Sequence, residues 1–295
     1  MAGPAGLELH GFIQNMATLG LLSPEFPAVS LDANLDTIAA TGASGVQFDL
    51  VSAMGHSLPA ELSEAAREVI TEGFRRRHLT LAALSGTYNM IDPDPRARLV
   101  GAEGLDRLIS WAPRLGADVV TLCTGSRDPA SMWRKHPGND STEAWSDLLV
   151  QIERAVKVAE EYGVTLGVEP EIGNTINSVQ KARRLLDEVR SPRLKIVMDG
   201  ANVFQHGQLP NMRKVLDEAF DLLGSDIALA HAKDLDKDGE AGHLAAGRGR
   251  LDYPYYLELL KKSGFDGTII LHALQPAEAK DRLAFVHSNA PPGYL

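Results

Sequence analysis

The chain has 295 residues, too long for a minimal domain and short for two full-sized ones. Hydrophobic residues make up 44% and charged residues 23%, a mix that excludes a disordered chain. Acidic side chains outnumber basic ones by 39 to 29, and the resulting formal charge of -10 argues against a protein that coats nucleic acid.

Taken in chain order, short apolar runs alternate with amphipathic stretches. Leu7–Ile13 is the first run, followed by the amphipathic stretch Leu31–Gly42 and the second run, Gly45–Phe48. The third is Leu79–Leu84. Trp111–Gly116 then closes a helix before Asp118–Leu122, and Gln151–Gly163 before Val164–Val168. Leu194–Met198 and Ile227–Ala230 follow, and Tyr256–Gly264 precedes the last run, Thr268–Leu271. Gly42, Gly116, Gly163 and Gly264 stand where a helix would end in a left-handed residue.

Eight strands separated by helix-length segments predict an α/β fold, a single (β/α)8 barrel over residues 1–288. The rival, a doubly wound open sheet, calls for a glycine-rich turn after its first strand, and none follows Leu7–Ile13. Gly247-Arg248-Gly249 comes after the seventh run and is no dinucleotide fingerprint. Residues 289–295, with Pro291-Pro292, read as a C-terminal surface extension. One cysteine, Cys123, excludes an internal disulfide or an all-cysteine metal site, and its place suits a buried small hydrophobe. No uncharged apolar run reaches the ~18 residues of a membrane span. Met1–Glu8 shows no basic region leading into an apolar one, so a cytoplasmic protein is expected.

In a barrel of this kind, chemistry collects where the strands end. The fifth run ends at Glu169, the sixth at Asp199, the seventh at His231 and the eighth at His272. Alternation along a strand puts Gly167 with Glu169, Val197 with Asp199, Leu229 with His231, and Ile270 with His272. If those faces point inward, two carboxylates and two imidazoles converge on the top of the barrel. Such oxygen and nitrogen donors suit one divalent ion, with Mn²⁺, Co²⁺ or Zn²⁺ preferred over Mg²⁺. Any one of these residues alone would read as a cap or a satisfied polar group.

The order and spacing of several strings carry a resemblance. They are Val168-Glu169-Pro170, Val197-Met198-Asp199, His231-Ala232-Lys233-Asp234 and Gly247–Asp252. Upstream stand Gly86–Asn89, Pro93–Arg96 and Cys123–Asp128. Over nearly its whole length the chain resembles the xylose isomerase-like barrels, a family that includes sugar epimerases, inosose isomerases and dehydratases, hydroxypyruvate isomerase and apurinic endonucleases. The resemblance implies that Glu169, Asp199 and His231 ligate a metal. In the epimerases a second glutamate on the last strand completes the set and pairs with the first as a base; here that position holds His272. Asn202 stands where many members have histidine.

Further candidates flank these positions. Arg127, Arg134, His136 and Trp133 lie in a long polar stretch after the fourth strand, with Arg127 nearest the strand end. Asn89, Asn202 and Arg248 are candidate substrate contacts, while Gln47, His10 and Glu171 are similarly placed but less diagnostic. Lys233 shares the parity of His231 and could polarise a carbonyl, or simply pair with a carboxylate. The expected function is metal-dependent isomerisation or epimerisation of a small keto- or aldo-sugar, polyol or sugar phosphate. Glu169 is its base, and His272 serves as a ligand or a second base. A dehydratase of an inosose-like substrate shares the first half of that mechanism, and a non-catalytic sugar-binding barrel is the alternative from another class. A small-molecule partner is expected, with no nucleic acid and no membrane, and a homo-oligomer is left open.

Overall fold

A computed structural model describes residues 16–295. The expected first strand, Leu7–Ile13, and His10 lie outside the described residues. Eight parallel strands close a barrel: β1 (Thr18–Leu22), β2 (Gly45–Phe48), β3 (Thr80–Ser85), β4 (Val119–Leu122), β5 (Thr165–Val168), β6 (Leu194–Asp199), β7 (Ile227–Asp234) and, after the two-residue antiparallel β8 (Leu244–Ala245), β9 (Thr268–Leu271). β9 pairs with both β7 and β1, and β6 pairs with β7, so the sheet has no open seam. The position assigned to Leu7–Ile13 is thus filled by Thr18–Leu22. Both segments are apolar runs ahead of the first amphipathic stretch, and periodicity alone does not choose between them.

The helices pack outside the barrel. They are α1 (Leu31–Ala39), α2 (Val51–Met54), α3 (Glu64–Arg76), α4 (Pro95–Leu115), α5 (Thr142–Tyr162), α6 (Val179–Val189), α7 (Met212–Leu223), α8 (Tyr253–Lys262) and α9 (Ala279–Asn289). Serine side chains start α1, α3, α5 and α6: Ser30, Ser63, Ser141 and Ser178 each accept a backbone N–H from the first turn. At the other end, Gly116 and Gly163 close α4 and α5 at φ of 87° and 73°, where a β-carbon would be strained.

Most of the core lies between barrel and helices. Inside the barrel, a separate small cluster of Ala83, Val197, Leu229 and Ile270 fills the space beneath the strand ends. Gly20, Gly45 and Gly167 line that interior, and little room is left there. A β-carbon on Gly20 would approach Ile270 Cδ1 to 2.6 Å, and one on Gly167 would approach Val197 Cγ2 to 2.8 Å. Val197, Leu229 and Ile270 therefore point inward, and the residues two positions further along their strands inherit that direction.

The C-terminal residues are tied back to the barrel at two points. Tyr294 is buried against the core, its carbonyl accepts the Ala17 N–H, and the Pro292 carbonyl accepts from Lys261. None of the described helices is long and apolar enough to cross a membrane.

Candidate metal centre

Four strand ends meet where the barrel interior stops. One donor atom from each of Glu169, Asp199, His231 and His272 lies within 4.8 Å of the others. His231 Nδ1 is 3.3 Å from Glu169 Oε2, and His272 Nε2 is 3.5 Å from Asp199 Oδ2. The two imidazole rings meet edge to face, 4.6 Å between centroids. Three of the donor residues carry a buried atom with no hydrogen-bond partner: Asp199 Oδ2, His231 Nδ1 and His272 Nε2. Leaving buried polar atoms unsatisfied costs ~1–3 kcal/mol each. Asp199 Oδ2 has the Lys233 ammonium at 3.2 Å, whereas the two imidazole nitrogens face carboxylate oxygens without a hydrogen bond, which calls for a shared partner. Acceptors of this kind, converging on one point, fit a cation.

The surrounding chain fixes each donor. The other oxygen of Asp199, Oδ1, accepts the Ala201 N–H at 2.8 Å, which turns Oδ2 toward the cluster. The Tyr256 hydroxyl lies 2.9 Å from the Met198 carbonyl and 3.0 Å from that of His231, tying β6 to β7 just beside two of the donors. Gln47, on β2, places its carbonyl oxygen 2.8 Å from His231 Nε2. Behind His272 the chain turns at Ala273, a non-glycine residue at φ 59°, whose N–H donates to Glu25 Oε1 at 2.5 Å.

Lys233 runs up the same face of β7 as His231 and is 5% exposed. Its Nζ is 3.2 Å from Asp199 Oδ2, 3.8 Å from Glu169 Oε1 and 3.9 Å from Glu171 Oε2. With Glu171 ionised, three negative charges against one positive leave -2, which a divalent ion would bring to zero. Burial pushes the Asp199 and Glu169 carboxyls up. The Lys233 ammonium, together with the imidazole nitrogens facing them, outweighs it and holds both below the usual range. Glu171 goes the other way: burial raises it to about 7, and neighbouring carboxylates outweigh part of the help from Lys233. For His272 burial dominates and lowers the imidazole to about 4, so it is neutral at physiological pH.

Asn202 bridges the two glutamates. Its Nδ2 donates to Glu169 Oε1 at 2.7 Å and to Glu171 Oε2 at 2.9 Å, while its Oδ1 accepts the Gly242 N–H. Above the cluster opens a cavity of about 610 Å³. Glu169, Glu171, His231, Lys233 and His272 face it from below, and Leu22, Pro24, Met132 and Trp133 supply apolar walls.

A family model described as "xylose isomerase-like TIM barrel" matches residues 35–288. The chain belongs to that family. Among curated relatives of this xylose isomerase-like barrel is a putative hydroxypyruvate isomerase from Xenopus laevis, 26% identical over 176 residues. That match covers 56% of this chain and 58% of the relative, so the chain spans a little over half of that protein's length. Among solved structures, a D-tagatose 3-epimerase-like protein superposes with a TM-score of 0.73 at 18% identity, covering 92% of this chain and 96% of that one. The IolI protein with a bound zinc atom superposes with a TM-score of 0.69 at 17% identity, covering 94% and 99%.

The remaining candidates separate. Lys233 and Asn202 are in contact with the cluster, as described. Arg127 is not on the cavity lining: its guanidinium pairs with Asp147 on α5 at 2.5 Å and donates to the Ile91 carbonyl at 2.9 Å. Asn89 likewise braces loops, donating to the Ser126 carbonyl and accepting the Ser126 N–H. Arg248 points outward, 3.6 Å from Glu278 and 57% exposed. Arg134 pairs with Asp128, and the His136 ring accepts the Gly138 N–H. Their loop does reach the site, but through Trp133 and Met132. Cys123 is buried beside Asn174, and burial pushes its thiol far up, as suits an inert side chain. Glu25 carried no signal in the sequence, because its contact spans the whole length of the barrel.

Proposed function

We propose that this protein is a divalent-metal-dependent isomerase or epimerase of a small, uncharged keto- or aldo-polyol, working through an enediolate of the substrate. The observation that carries the reading is the convergence of Glu169, Asp199, His231 and His272 beneath the cavity, with buried atoms that lack partners. These four residues would hold the ion, and two carboxylates with two neutral imidazoles suit Mn²⁺, Co²⁺ or Zn²⁺ better than Mg²⁺. When bound, the ion would polarise the substrate carbonyl and offset the negative charge that grows as the carbon-bound proton leaves.

The chain's own groups divide the rest of the work. Glu169 is held ionised and faces the cavity, so it takes the proton from carbon. Glu171 faces the same space from outside the donor group, held beside Glu169 by Asn202, and returns a proton from the same side to the neighbouring carbon. Lys233 steadies both carboxylates and offers N–H donors to a substrate oxygen. Proton transfer by placed side chains accounts for ~10²–10⁴-fold.

Charge narrows the substrate. Among the described residues lining the cavity Lys233 is the one cation, it is already shared by three carboxylates, and residues 1–15 contain neither lysine nor arginine. A phosphate would meet Asp49, Glu169 and Glu171 instead of a cationic clamp. Free sugars and polyols are therefore favoured over sugar phosphates.

The test is NMR in D₂O of the Mn²⁺-, Co²⁺- or Zn²⁺-loaded protein with free ketoses, inososes, hydroxypyruvate and ketose phosphates. Deuterium appearing at the carbon beside the carbonyl of a neutral polyol, without loss of water, is the expected result. Loss of water would identify a dehydratase, and affinity without turnover a sugar-binding barrel. Turnover confined to phosphates would overturn the charge argument.

A further inference from the structure

We infer that Gln47 is a positioning residue that sets the tautomer of His231 and so makes Nδ1 the atom available to a metal. The inference rests on the metal centre proposed above and concerns how one of its donors is prepared.

Gln47 projects into the barrel from β2 and is 5% exposed. Its amide nitrogen lies 3.2 Å from Ser85 Oγ at the end of β3 and 3.2 Å from Thr121 Oγ1 on β4. The Thr121 hydroxyl is within reach of the Leu84 carbonyl, to which it donates, so it turns a lone pair toward Gln47. Both amide protons are then engaged by hydroxyl oxygens. The amide oxygen is left facing His231 Nε2 at 2.8 Å. An amide oxygen carries no proton, so the imidazole must supply the one in that bond.

A neutral imidazole has a single ring proton. With that proton on Nε2, Nδ1 presents a lone pair, and Nδ1 is the buried nitrogen without a hydrogen-bond partner, 3.3 Å from Glu169 Oε2. Two lone-pair atoms held face to face repel each other until a cation lies between them. The chain from Ser85 and Thr121 through Gln47 to His231 thus crosses the barrel interior from strands that contribute no donor to the cluster. In metal sites generally, the partner of a histidine's second nitrogen selects the tautomer, and losing it costs ~10–100-fold in affinity.

The experiment uses the full chain labelled with [¹⁵N]histidine. Long-range ¹H–¹⁵N correlations at pH 8 on metal-free wild type, Gln47→Leu and Gln47→Glu report the His231 tautomer directly. Chelator-competition titrations with Zn²⁺ then report affinity, and circular dichroism reports folding. Glutamate keeps an acceptor for Nε2–H, and the Ser85 and Thr121 hydroxyls can rotate to donate to it.

The expected result is the Nε2–H tautomer in wild type and Gln47→Glu, with Nδ1–H appearing in Gln47→Leu. Zn²⁺ affinity should fall ~10–100-fold in Gln47→Leu and be retained in Gln47→Glu. Should Gln47→Leu fail to fold, Gln47→Met is the second acceptor-free variant. An Nδ1–H tautomer in wild type would overturn the inference, as would wild-type Zn²⁺ affinity in a folded acceptor-free variant. Wild type that takes up no Zn²⁺ while showing the Nε2–H tautomer would instead overturn the metal-centre reading alone.

Discussion

Glu25 grips the backbone of Ala273, 248 residues away along the chain and directly after His272. Its second oxygen lies 3.4 Å from the Leu274 nitrogen, so one carboxylate spans the turn that ends β9. Ala273 sits at φ 59°, a conformation that an alanine holds only when its surroundings impose it.

That grip should be visible in the pH dependence of stability. Burial raises the Glu25 carboxyl from 4.5 to about 7, against the lowering effect of the Ala273 and Leu274 N–H groups. Between those values the unfolded chain has released the Glu25 proton while the native chain keeps it. The unfolded state then binds fewer protons, and this contribution to stability falls as pH rises. Glu25→Gln should therefore gain on wild type from about pH 4.5 to about pH 7, by about 3 kcal/mol, and then run parallel to it. Urea denaturation of both proteins across that range is the measurement, and a constant difference between them would remove Glu25 as the source.

Glu169→Gln removes both an anionic donor and the proposed base. Metal affinity should fall at least tenfold, and turnover should stay absent even at saturating Mn²⁺. Chelator competition and the D₂O exchange assay check the two effects separately. Unchanged metal content with unchanged turnover would refute both roles.

His272→Gln distinguishes ligation from proton transfer at the position where the chain departs from the family's second glutamate. Because Nε2 lacks a partner and lies within the donor group, weaker metal binding that excess metal restores is expected. Full occupancy with lost turnover would make His272 the base and leave three protein ligands.

Arg127→Ala should act on stability and leave substrate affinity alone. The variant loses an ion pair to Asp147 and a hydrogen bond to the Ile91 carbonyl on a side chain only 16% exposed. A loss of about 1–3 kcal/mol is expected, with KM within twofold of wild type. Calorimetry and steady-state kinetics on the active substrate decide it, and a large rise in KM at unchanged Tm would return Arg127 to the binding site.

The parts of the site that follow a strand were legible in the sequence because a barrel turns order along the chain into position around a ring. Alternation at Val197-Met198-Asp199 and Leu229-Ala230-His231 put Asp199 and His231 on the inner face, and the filled interior beneath them bears this out. What lay between strands was less readable. Arg127 is near a strand end, yet its side chain turns outward to a carboxylate on α5 that no spacing rule identifies. Gln47 stands among the less diagnostic candidates in the sequence because the partner that gives it a role lies 184 residues away. The first strand was misplaced because Thr18–Leu22 and Leu7–Ile13 offer similar apolar content, and only pairing with β2 and β9 selects one.

Lys233 bears on the order of events in the life of the protein. A cluster of carboxylates buried without a counter-charge would oppose its own burial by several kcal/mol per ion. Here the counter-charge is covalently part of β7, within 4 Å of Glu169, Glu171 and Asp199. The barrel can thus close around its acidic centre during synthesis without drawing an ion from solution. If the proposed metal centre is filled, loading would be a late step, made on a finished scaffold and governed by supply, and one pool of folded chains could take different ions as availability changes.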